Sequence, residues 1–405
     1  MARDVLLTFN PGSSTIKLGL FAIEDGKARA FGQGVIDLRH KPLSLKIEEA
    51  NRPLQVTLKS HVTEDLHDVI DETLGWLASH FQSDKLLAVA HRVVHGGDRF
   101  DGPTKISDDT LAAIEALSSL APLHQPQSLR LIRAVQKLRA DLPQAASFDT
   151  AFHRTQSDLV RRFALPRDLF DQGIKRYGFH GLSYKFIAGR LALNGDGDVG
   201  DIGDRVVVAH LGSGASLCGL ENGISRDTSM SFSTLDGIPM ATRPGALDPG
   251  VLLHLQKEKH MSVDALEDML YHRSGLLGVS GISADSRELV ASDAPEAGEA
   301  LALFALRVAR EMAAIATTLG GLDAIVFTAG IGEHQPSVRA AIAAHLGWLG
   351  VRIDAEANTV TNAQTTQRLR IDAPDSKIAL FVIPTDEEQV IADEAIQVLF
   401  SGAAK

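Results

Sequence analysis

The chain has 405 residues, 44% of them hydrophobic and 5% aromatic, which is long enough for two or more well-buried domains. Its 35 glycines favour an α/β enzyme with Gly-rich loops over a β-sandwich or a helical bundle. The formal net charge of −11 argues against nucleic acid or an anionic membrane surface as the main partner.

Cysteine usage and the first residues predict the compartment. Cys218 is the only cysteine, so an intrachain disulfide is excluded and a reducing cytoplasm fits. The first residues lead directly into a strand, without a signal-peptide pattern or an apolar run of membrane-spanning length. We therefore expect a cytoplasmic protein with no membrane partner.

The first predicted feature, residues 5–17, is a short apolar strand, a tight polar turn and the start of a second strand. The turn contains Asn10, a glycine (Gly12), three hydroxyl residues and Lys17. Gly12 permits unusual backbone angles, while hydroxyls, backbone N–H groups and a lysine can hold an anion. Two interpretations stay open at this point, a phosphate-binding turn and an ordinary hairpin turn.

Strands and helices then alternate along the first half of the chain. The predicted strands are 15–23, 30–38, 86–94 and 145–148, with an irregular strand-like stretch at 41–60. The predicted helices are 63–81, 107–120 and 126–140. This alternation predicts a largely α/β fold with functional groups at strand ends, such as Asp149 after the last strand.

The second half repeats the opening pattern. A strand at 205–210 is followed by the turn Gly212-Ser213-Gly214 and by a strand at 217–220. A third strand and turn lie at 324–333, after a helix at 300–319, and a buried strand is predicted at 377–383. Thr385 is a plausible N-cap of a C-terminal helix with acidic residues in its first turn.

The repetition predicts two related α/β domains that face each other across a cleft. Each would bring one Gly/Ser turn to that cleft, and two such turns suit a polyphosphate. The expected limits are 1–150 plus 387–405 for the first domain, closed by the C-terminal helix, and 151–386 for the second.

Several common motifs are absent or misplaced. A G-x-G-x-x-G at Gly195, Gly197 and Gly200 precedes a strand instead of following one, so we interpret it as a surface loop. No G-x-x-x-x-G-K-[ST], no H-E-x-x-H and no Cys/His cluster occurs. A G-x-S-x-G motif is also missing, so covalent catalysis is not indicated.

Charged and polar residues do collect at strand ends and in Gly-rich turns. Together they supply cations for phosphate, an amide and a carboxylate for Mg²⁺, and glycines for close backbone approach, a combination typical of phosphoryl transfer. These residues are Asn10, Lys17, Arg92, Asp149, His180, His210, Arg243, Asp285, Arg287 and Glu387.

On these residues the chain resembles the acetokinase family, in the superfamily of sugar kinases, Hsp70 and actin. The resemblance spans nearly the whole length. The matching stretches are Asn10-Pro11-Gly12-Ser13-Ser14, His91-Arg92-Val93-Val94-His95-Gly96-Gly97, Phe148-Asp149-Thr150-Ala151-Phe152-His153, Arg176-Tyr177-Gly178-Phe179-His180-Gly181, His210-Leu211-Gly212-Ser213-Gly214, Asp227-Thr228-Ser229-Met230, Phe327-Thr328-Ala329-Gly330-Ile331-Gly332-Glu333 and Pro384-Thr385-Asp386-Glu387-Glu388.

The resemblance implies two ribonuclease-H-like domains with mixed sheets, of the actin-like ATPase type, and a homodimer. It implies reversible transfer of the γ-phosphoryl group of ATP to acetate, which gives acetyl phosphate and ADP. It also implies a requirement for Mg²⁺, for which Mn²⁺ can substitute.

The resemblance further implies a role for individual residues. Asn10 and Glu387 correspond to the metal-linked pair. The catalytic positions are Asp149, Arg92, Arg243 and His180. The phosphate-binding positions are Lys17, Ser13, Ser14, His210, Gly212 and Gly214, and the adenosine-binding positions are Asp285, Ser286, Arg287, Gly330 and Gly332.

Some positions depart from the family pattern. Leu182 and Tyr184 stand where Thr and His are usual, and His334 follows Gly332-Glu333 in place of Asn. Ser233-Thr234 replaces Thr-Pro in a stretch that lines the acyl pocket of the family. Because one methylene is worth only about 1–3 kcal/mol of discrimination, propionate or another short acid stays open as the acceptor.

Two other classes of function remain alternatives. An ATP-binding switch of the Hsp70 or actin kind would leave Arg92, Arg243 and the His180 motif unexplained. A sugar or glycerol kinase would need a carboxylate base near a hydroxyl, and Asp149 could be that base. A carboxylate acceptor, with a pKa of roughly 4, needs no base, so Asp149 would then orient an arginine or the metal.

Overall fold

A computed structural model of the chain describes residues 3–12, 15–39, 41–49, 52–61, 66–81, 84–192, 202–359 and 369–400. The chain forms two compact units. The first unit is Met1–Phe152 with Asp386–Lys405, and the second is His153–Thr385. Ser13, Ser14 and the loop with Gly195, Gly197 and Gly200 lie outside the described residues.

The first unit contains an eight-stranded mixed sheet. Its strands are β1 (Asp4–Pro11), β2 (Thr15–Glu24), β3 (Lys27–Asp37), β4 (Ser44–Glu49), β5 (Arg52–Thr57), β6 (Lys85–Val93), β7 (Thr104–Lys105) and β8 (Gln144–Phe148). They lie in the order β5-β4-β3-β2-β1-β6-β8-β7. β1 is central, and its run Val5–Phe9 is buried because both faces of the sheet are covered there.

Helices cover this sheet with apolar stripes. They are α1 (His67–His80), α2 (Asp108–Glu115), α3 (Gln125–Leu138) and the C-terminal helix (Glu387–Leu399). Val69 and Ile70 of α1 and Leu131 of α3 share one core with Leu7 and Phe9 of β1. The C-terminal helix packs against β1, β6 and β8, so the last residues of the chain complete the first unit.

The N-cap of the C-terminal helix is Asp386, and the prediction of Thr385 was wrong. The extended backbone of Asp386 lets its carboxylate accept a hydrogen bond from the Gln389 N–H at 2.9 Å. Thr385 is one residue too early for this contact, and its hydroxyl instead lies 2.9 Å from that of Ser183 in the second unit.

The second unit contains a six-stranded mixed sheet. Its strands are β9 (Arg205–Leu211), β10 (Ala215–Glu221), β11 (Ile224–Thr228), β12 (Ala324–Thr328), β13 (Leu369–Arg370) and β14 (Ala379–Val382), in the order β11-β10-β9-β12-β14-β13. Its helices are α4 (Asp158–Arg161), α5 (Arg167–Asp171), α6 (Gly181–Ala192), α7 (Pro249–Lys257), α8 (Val263–His272), α9 (Gly275–Ser280), α10 (Ser286–Val290), α11 (Pro295–Leu319), α12 (Ala329–His334), α13 (Pro336–His345) and α14 (Ala355–Thr359).

The two sheets share one topology. The order β3-β2-β1-β6-β8 in the first corresponds to β11-β10-β9-β12-β14 in the second. In both, two antiparallel pairs precede two parallel pairs. The repeated strand–turn–strand pattern of the sequence therefore corresponds to a repeated architecture, and the expected α/β class with two mixed sheets is confirmed.

The longest helix, α11, begins five residues before the predicted helix at 300–319. Pro295 occupies its first turn, where a missing N–H costs nothing, and Gly320 ends it with a φ of 69°. Within the described ranges, no helix combines the length and the apolar character needed to cross a bilayer.

Candidate active site

In the first unit, Arg92 and Asp149 form a buried ion pair at the carboxyl ends of neighbouring parallel strands. Arg92 lies near the end of β6 and Asp149 directly follows β8. The Arg92 Nε lies 3.1 Å from both Asp149 carboxylate oxygens, and its second terminal nitrogen donates to Oδ2 at 2.5 Å. Asp149 is 1% exposed, so this carboxylate holds the guanidinium in one orientation.

Three carboxylates lie close enough to Arg92 to affect its pKa. Burial alone would lower the pKa of Arg92, but the charges of Asp149, Glu387 and Glu388 outweigh it and raise the pKa above its usual value. The guanidinium therefore stays charged, as a residue that binds an anion must.

Asn10 connects this arginine to the start of the C-terminal helix. Its amide oxygen accepts a hydrogen bond from Arg92 at 3.2 Å. Its amide nitrogen donates to Glu387 Oε2 and to Glu388 Oε1, both at 2.9 Å. The predicted pair of Asn10 and Glu387 is thus in direct contact, and the sequence analysis had missed Glu388 as a third member.

The set formed by Asn10, Glu387 and Glu388 has the chemistry of a hard-cation site. Burial raises the pKa of the Glu388 carboxyl, Lys17 opposes that rise, and Glu387 adds to it. A divalent cation would relieve this concentration of negative charge. Mg²⁺ prefers one or two carboxylates together with water and substrate phosphates, so the carboxylates of Glu387 and Glu388 fit it, while the Asn10 amide oxygen already accepts a hydrogen bond from Arg92. Among the described residues, no three or more His, Cys, Asp or Glu side chains are grouped so that they could hold a metal ion.

In the second unit, two of the predicted catalytic side chains lie close to the backbone of the Gly212–Gly214 turn. The Gly212 N–H donates to the Gly214 carbonyl at 3.1 Å, which closes the turn between β9 and β10. A β-carbon at Gly214 would come within 2.9 Å of an Arg243 guanidinium nitrogen and 3.3 Å of His180 Nε2. A side chain at position 214 would therefore have to displace the end of the Arg243 side chain and crowd His180.

Arg243 is a half-buried cation for which no ion pair with a described carboxylate of its own unit is found. One of its terminal nitrogens donates to the Thr234 carbonyl at 2.8 Å, and no acidic side chain among the described residues of this unit forms an ion pair with it. Burial lowers its pKa to about 10, and Tyr271 opposes that shift only in part. A partly desolvated guanidinium with this surplus of positive charge is suited to binding an anion.

His180 and His210 lie against each other beside this turn. Their rings are stacked, with centroids 4.3 Å apart and planes 18° apart. His180 Nδ1 lies 2.8 Å from the Ser216 hydroxyl, and His210 Nδ1 lies 2.8 Å from the Ser183 hydroxyl. His180 has a φ of 56°, a strained value for a non-glycine residue and one that recurs at functional sites.

The predicted adenosine positions lie in two segments that one hydrogen bond joins. Asp285 caps α10 by accepting from the Arg287 N–H at 2.9 Å, and the Arg287 side chain turns back to the same carboxylate. Ser286, next to it, accepts a hydrogen bond from Gln335, which follows α12. α12 carries Gly330 and Gly332, so Gln335 connects the two predicted segments.

Arg339 binds the C-terminal end of α12. Its side chain is fully buried and donates to the Gly332 and Glu333 carbonyls at 2.8 and 3.0 Å, and to Asn358. It therefore satisfies the last carbonyls of a short helix that carries two predicted nucleotide residues. No sequence signal pointed to Arg339, because an isolated arginine in a helix is ordinary.

The structure thus collects the predicted residues into two sets. The first unit contains Asn10, Arg92, Asp149 and Glu387, with Lys17 exposed on β2 and close enough to influence Glu388. The second unit contains His180, His210, Gly212, Gly214, Arg243, Asp285, Ser286, Arg287, Gly330 and Gly332. Six further residues contact these sets and were not predicted as site residues from the sequence: Ser183, Tyr184, Ser216, Gln335, Arg339 and Glu388.

Comparison with known proteins places the chain in a family. The sequence model of the acetokinase family matches residues 5–393. An acetate kinase of Rhodopseudomonas palustris is 47% identical over 393 residues, which are 96% of this chain and 97% of that protein.

Solved structures agree over nearly the whole chain. A propionate kinase from Francisella tularensis has a TM-score of 0.87 at 33% identity, covering 98% of this chain and 100% of its own. An acetate kinase from Porphyromonas gingivalis has a TM-score of 0.84 at 30% identity with the same coverage. The chain therefore has the α/β fold of these kinases, and it belongs to the acetokinase family.

Proposed function

We propose that this protein is an acetate kinase, which transfers the γ-phosphoryl group of ATP to acetate and releases acetyl phosphate and ADP. The observation that carries the proposal is Arg243, a half-buried guanidinium beside His180 and the Gly212–Gly214 turn whose own unit offers it no described carboxylate partner. The family match supports the same reaction.

The chemistry follows from the charges of the reactants. Acetate is ionised at neutral pH, so one of its oxygens attacks the γ-phosphorus without a base, and the bond to the β-phosphate oxygen breaks. The main obstacle is repulsion between two anions. Arg92, Arg243 and His180 offset it and stabilise the charge on the equatorial oxygens of the transferring group.

Asp149 acts in this scheme through Arg92. Its carboxylate already accepts three contacts from that guanidinium, so it is an orienting group and not a proton acceptor. This role distinguishes the reaction from that of a sugar or glycerol kinase, which would need a free carboxylate near a hydroxyl.

We propose Mg²⁺ as the metal, held by Glu387 with Asn10, with Mn²⁺ as a substitute. When bound, the cation would neutralise charge on the nucleotide phosphates. The Asn10 amide orients both Glu387 and Glu388, and Lys17 moderates the charge of this set. Ser13, Ser14, His210, Gly212 and Gly214 would bind phosphate, and Asp285, Ser286, Arg287, Gly330 and Gly332 the adenosine.

We also propose that the protein acts in the cytoplasm, where ATP is available, and as a homodimer. Support for a dimer comes from apolar side chains exposed along residues 247–263 of the second unit. Leu253 is 54% exposed and Val263 67% exposed, with Leu247 and Val251 nearby in sequence.

Propionate is a second candidate acceptor. Ser233-Thr234 lies next to Arg243, whose guanidinium contacts the Thr234 carbonyl, and this dipeptide departs from the Thr-Pro of the family. A solved relative with 33% identity is named a propionate kinase. The choice between the two acids depends on a single methylene.

The test is a substrate panel with hydroxamate trapping of the acyl phosphate. Acetate, propionate, butyrate and glycerol are each assayed with ATP and with other nucleotides, with and without Mg²⁺. We expect acyl hydroxamate from acetate with MgATP, a smaller specificity constant for propionate, and no product from glycerol. Arg243→Met, prepared identically, reports contaminating kinase. Failure with every short carboxylate would end the proposal.

A further inference from the structure

Two elements of the second unit are connected beside His180 by buried hydroxyl groups. His180 immediately precedes α6, and Tyr184 lies one helical turn further along, with its N–H donating to the His180 carbonyl at 3.1 Å. Ser216 is the second residue of β10 and pairs with His210 across the β9–β10 hairpin. The side chains of His180, Ser216 and Tyr184 therefore meet between α6 and this hairpin.

The contacts form a chain of three groups. The Tyr184 hydroxyl lies 2.5 Å from Ser216 Oγ, and Ser216 Oγ lies 2.8 Å from His180 Nδ1. Tyr184 and Ser216 are both fully buried. The Tyr184 ring also meets the His210 ring edge-on at 6.4 Å, so the phenol is fixed in position by packing as well as by its hydroxyl.

The direction of these hydrogen bonds follows from acidity and proton count. A phenol hydroxyl is more acidic than an aliphatic hydroxyl, so Tyr184 is the favoured donor and Ser216 the acceptor. Ser216 has one proton, which it then directs to His180 Nδ1. A neutral imidazole that accepts at Nδ1 carries its proton at Nε2.

The Nε2 atom is the one that faces the proposed reaction. It lies beside the Gly214 backbone, at the place that the Arg243 guanidinium also approaches. An Nε2–H there donates to a phosphoryl oxygen, whereas a bare Nε2 lone pair would repel it. The opposite tautomer would thus turn a stabilising contact into a repulsive one.

We propose that Tyr184, acting through Ser216, is a positioning residue that keeps His180 in its Nε2–H tautomer. The inference rests on the proposed function for the role of His180 in transfer, but the tautomer itself is a property of the protein without substrates. Tyr184 was one of the positions at which the sequence departs from the family pattern.

The first test is spectroscopic. Long-range nitrogen–proton correlation spectra of the full chain, with His180 assigned by comparison with His180→Gln, report which ring nitrogen carries the proton. We expect the Nε2–H pattern in the wild type and a shift toward the Nδ1–H pattern in Tyr184→Phe. An unchanged Nε2–H pattern in Tyr184→Phe would overturn the proposal, whatever happens to the rate.

Kinetics supply the second test. Tyr184→Phe and Ser216→Ala should each lower kcat by about ten-fold, the effect of one hydrogen bond, with the KM values of acid and nucleotide nearly unchanged. Because Tyr184 acts through Ser216, the double variant should lose no more than Ser216→Ala alone. Losses that multiply in the double variant would contradict the relay.

Tyr177→Phe is the matched control. It also removes a buried phenol hydroxyl of the second unit, one that donates to the Gly173 carbonyl at 2.9 Å. It should change neither kcat nor the His180 spectrum. If the proposed function were wrong, the wild type would phosphorylate no acid, while the spectra would still decide the tautomer question.

Discussion

At the scale of single residues, the two arginines of the site differ in how they are held. Arg92 is fixed by the Asp149 carboxylate on the neighbouring strand and by Asn10. Arg243 is held by a carbonyl, and burial lowers its pKa to about 10. The first arginine is stabilised by its ion pair, while the second is retained at a cost in stability.

This difference predicts opposite effects on stability for one pair of substitutions. Arg92→Met should lower the free energy of unfolding by about 3–5 kcal/mol, because Asp149 would remain buried without its cation. Arg243→Met should leave the melting temperature at or above that of the wild type, because it removes a partly desolvated charge that no described carboxylate of its unit compensates. Both should lose turnover by roughly 10³-fold or more, as arginines that stabilise transferring phosphoryl groups do.

The two variants are compared with the wild type by thermal unfolding and by turnover with one acid acceptor. Each variant is the control of the other, since both exchange an arginine for methionine near a Gly-rich turn. A melting temperature that falls equally in both would contradict the distinction, and near-normal turnover in both would remove their catalytic roles.

At the scale of elements, the short helix α12 depends on a side chain of the next helix to satisfy its C-terminal carbonyls. α12 has six residues, and its first residue, Ala329, has a φ of 64°. Glu333 turns back to accept from the Ala329 N–H at 2.7 Å, while Arg339 satisfies the carbonyls at the other end. Packing and hydrogen bonds, and not helix propensity, therefore stabilise this proposed nucleotide segment.

Arg339→Met should destabilise the protein by about 3 kcal/mol, because the buried Gly332 and Glu333 carbonyls lose a charged donor. It should also raise the KM for nucleotide more than the KM for acid, since α12 carries Gly330 and Gly332. Denaturant unfolding and two-substrate kinetics measure these effects.

The matched control is Arg352→Met. Arg352 is exposed, and it also donates to two backbone carbonyls, those of Gly347 and Val351, at 2.9 Å. Because water can replace those contacts, this variant should behave like the wild type. An unchanged nucleotide KM in Arg339→Met would show that the arginine serves stability alone.

At the scale of the whole molecule, three buried histidines make stability sensitive to acid. Burial lowers the pKa of His91, His95 and His153 from 6.5 to about 4. Below pH 6.5 the unfolded chain takes up protons that the folded chain excludes, so stability falls as the pH drops toward 4. Each histidine contributes up to about 1.4 kcal/mol per pH unit in that window.

We therefore expect the thermal midpoint to fall between about pH 7 and about pH 5, with a shallower fall in His153→Gln. Glu388 acts in the opposite direction, because burial raises the pKa of its carboxyl. As the pH falls, the folded state takes up a proton at Glu388 before the unfolded chain does, and this uptake stabilises the folded state. His254→Gln, which removes an exposed imidazole, should follow the wild-type profile. A His153→Gln profile parallel to the wild type would contradict this origin of the acid sensitivity.

Much of the architecture could be predicted because it is encoded locally. The apolar runs at β1 and β9, followed by Gly/Ser turns and a second strand, predicted the two hairpins that begin the two sheets. The helix predicted at 126–140 corresponds to α3, Gln125–Leu138. Its N-terminal limit agrees within a residue because Pro126 fits only the first turn of a helix.

Partners that are distant in sequence could not be predicted in this way. Asn10 was expected to act with Glu387, yet its amide binds Glu388 as well, 378 residues away. The pairing of Arg92 with Asp149 depends on the parallel register of β6 and β8. No hairpin turn joins these two parallel strands, so turn geometry does not fix their register as it does in a hairpin.

The sequence by itself determined the class of fold, the repeated strand–turn–strand unit and the chemical groups of the site. These depend on residue type, periodicity and turn chemistry, which act over a few neighbouring positions. Only the tertiary structure decided which groups are partnered: Arg92 by Asp149, Arg243 by a carbonyl, and His180 by Ser216 and Tyr184. That choice depends on burial and on the register of strands and helices, because a buried polar atom is stabilised only by the partner that packing brings to it.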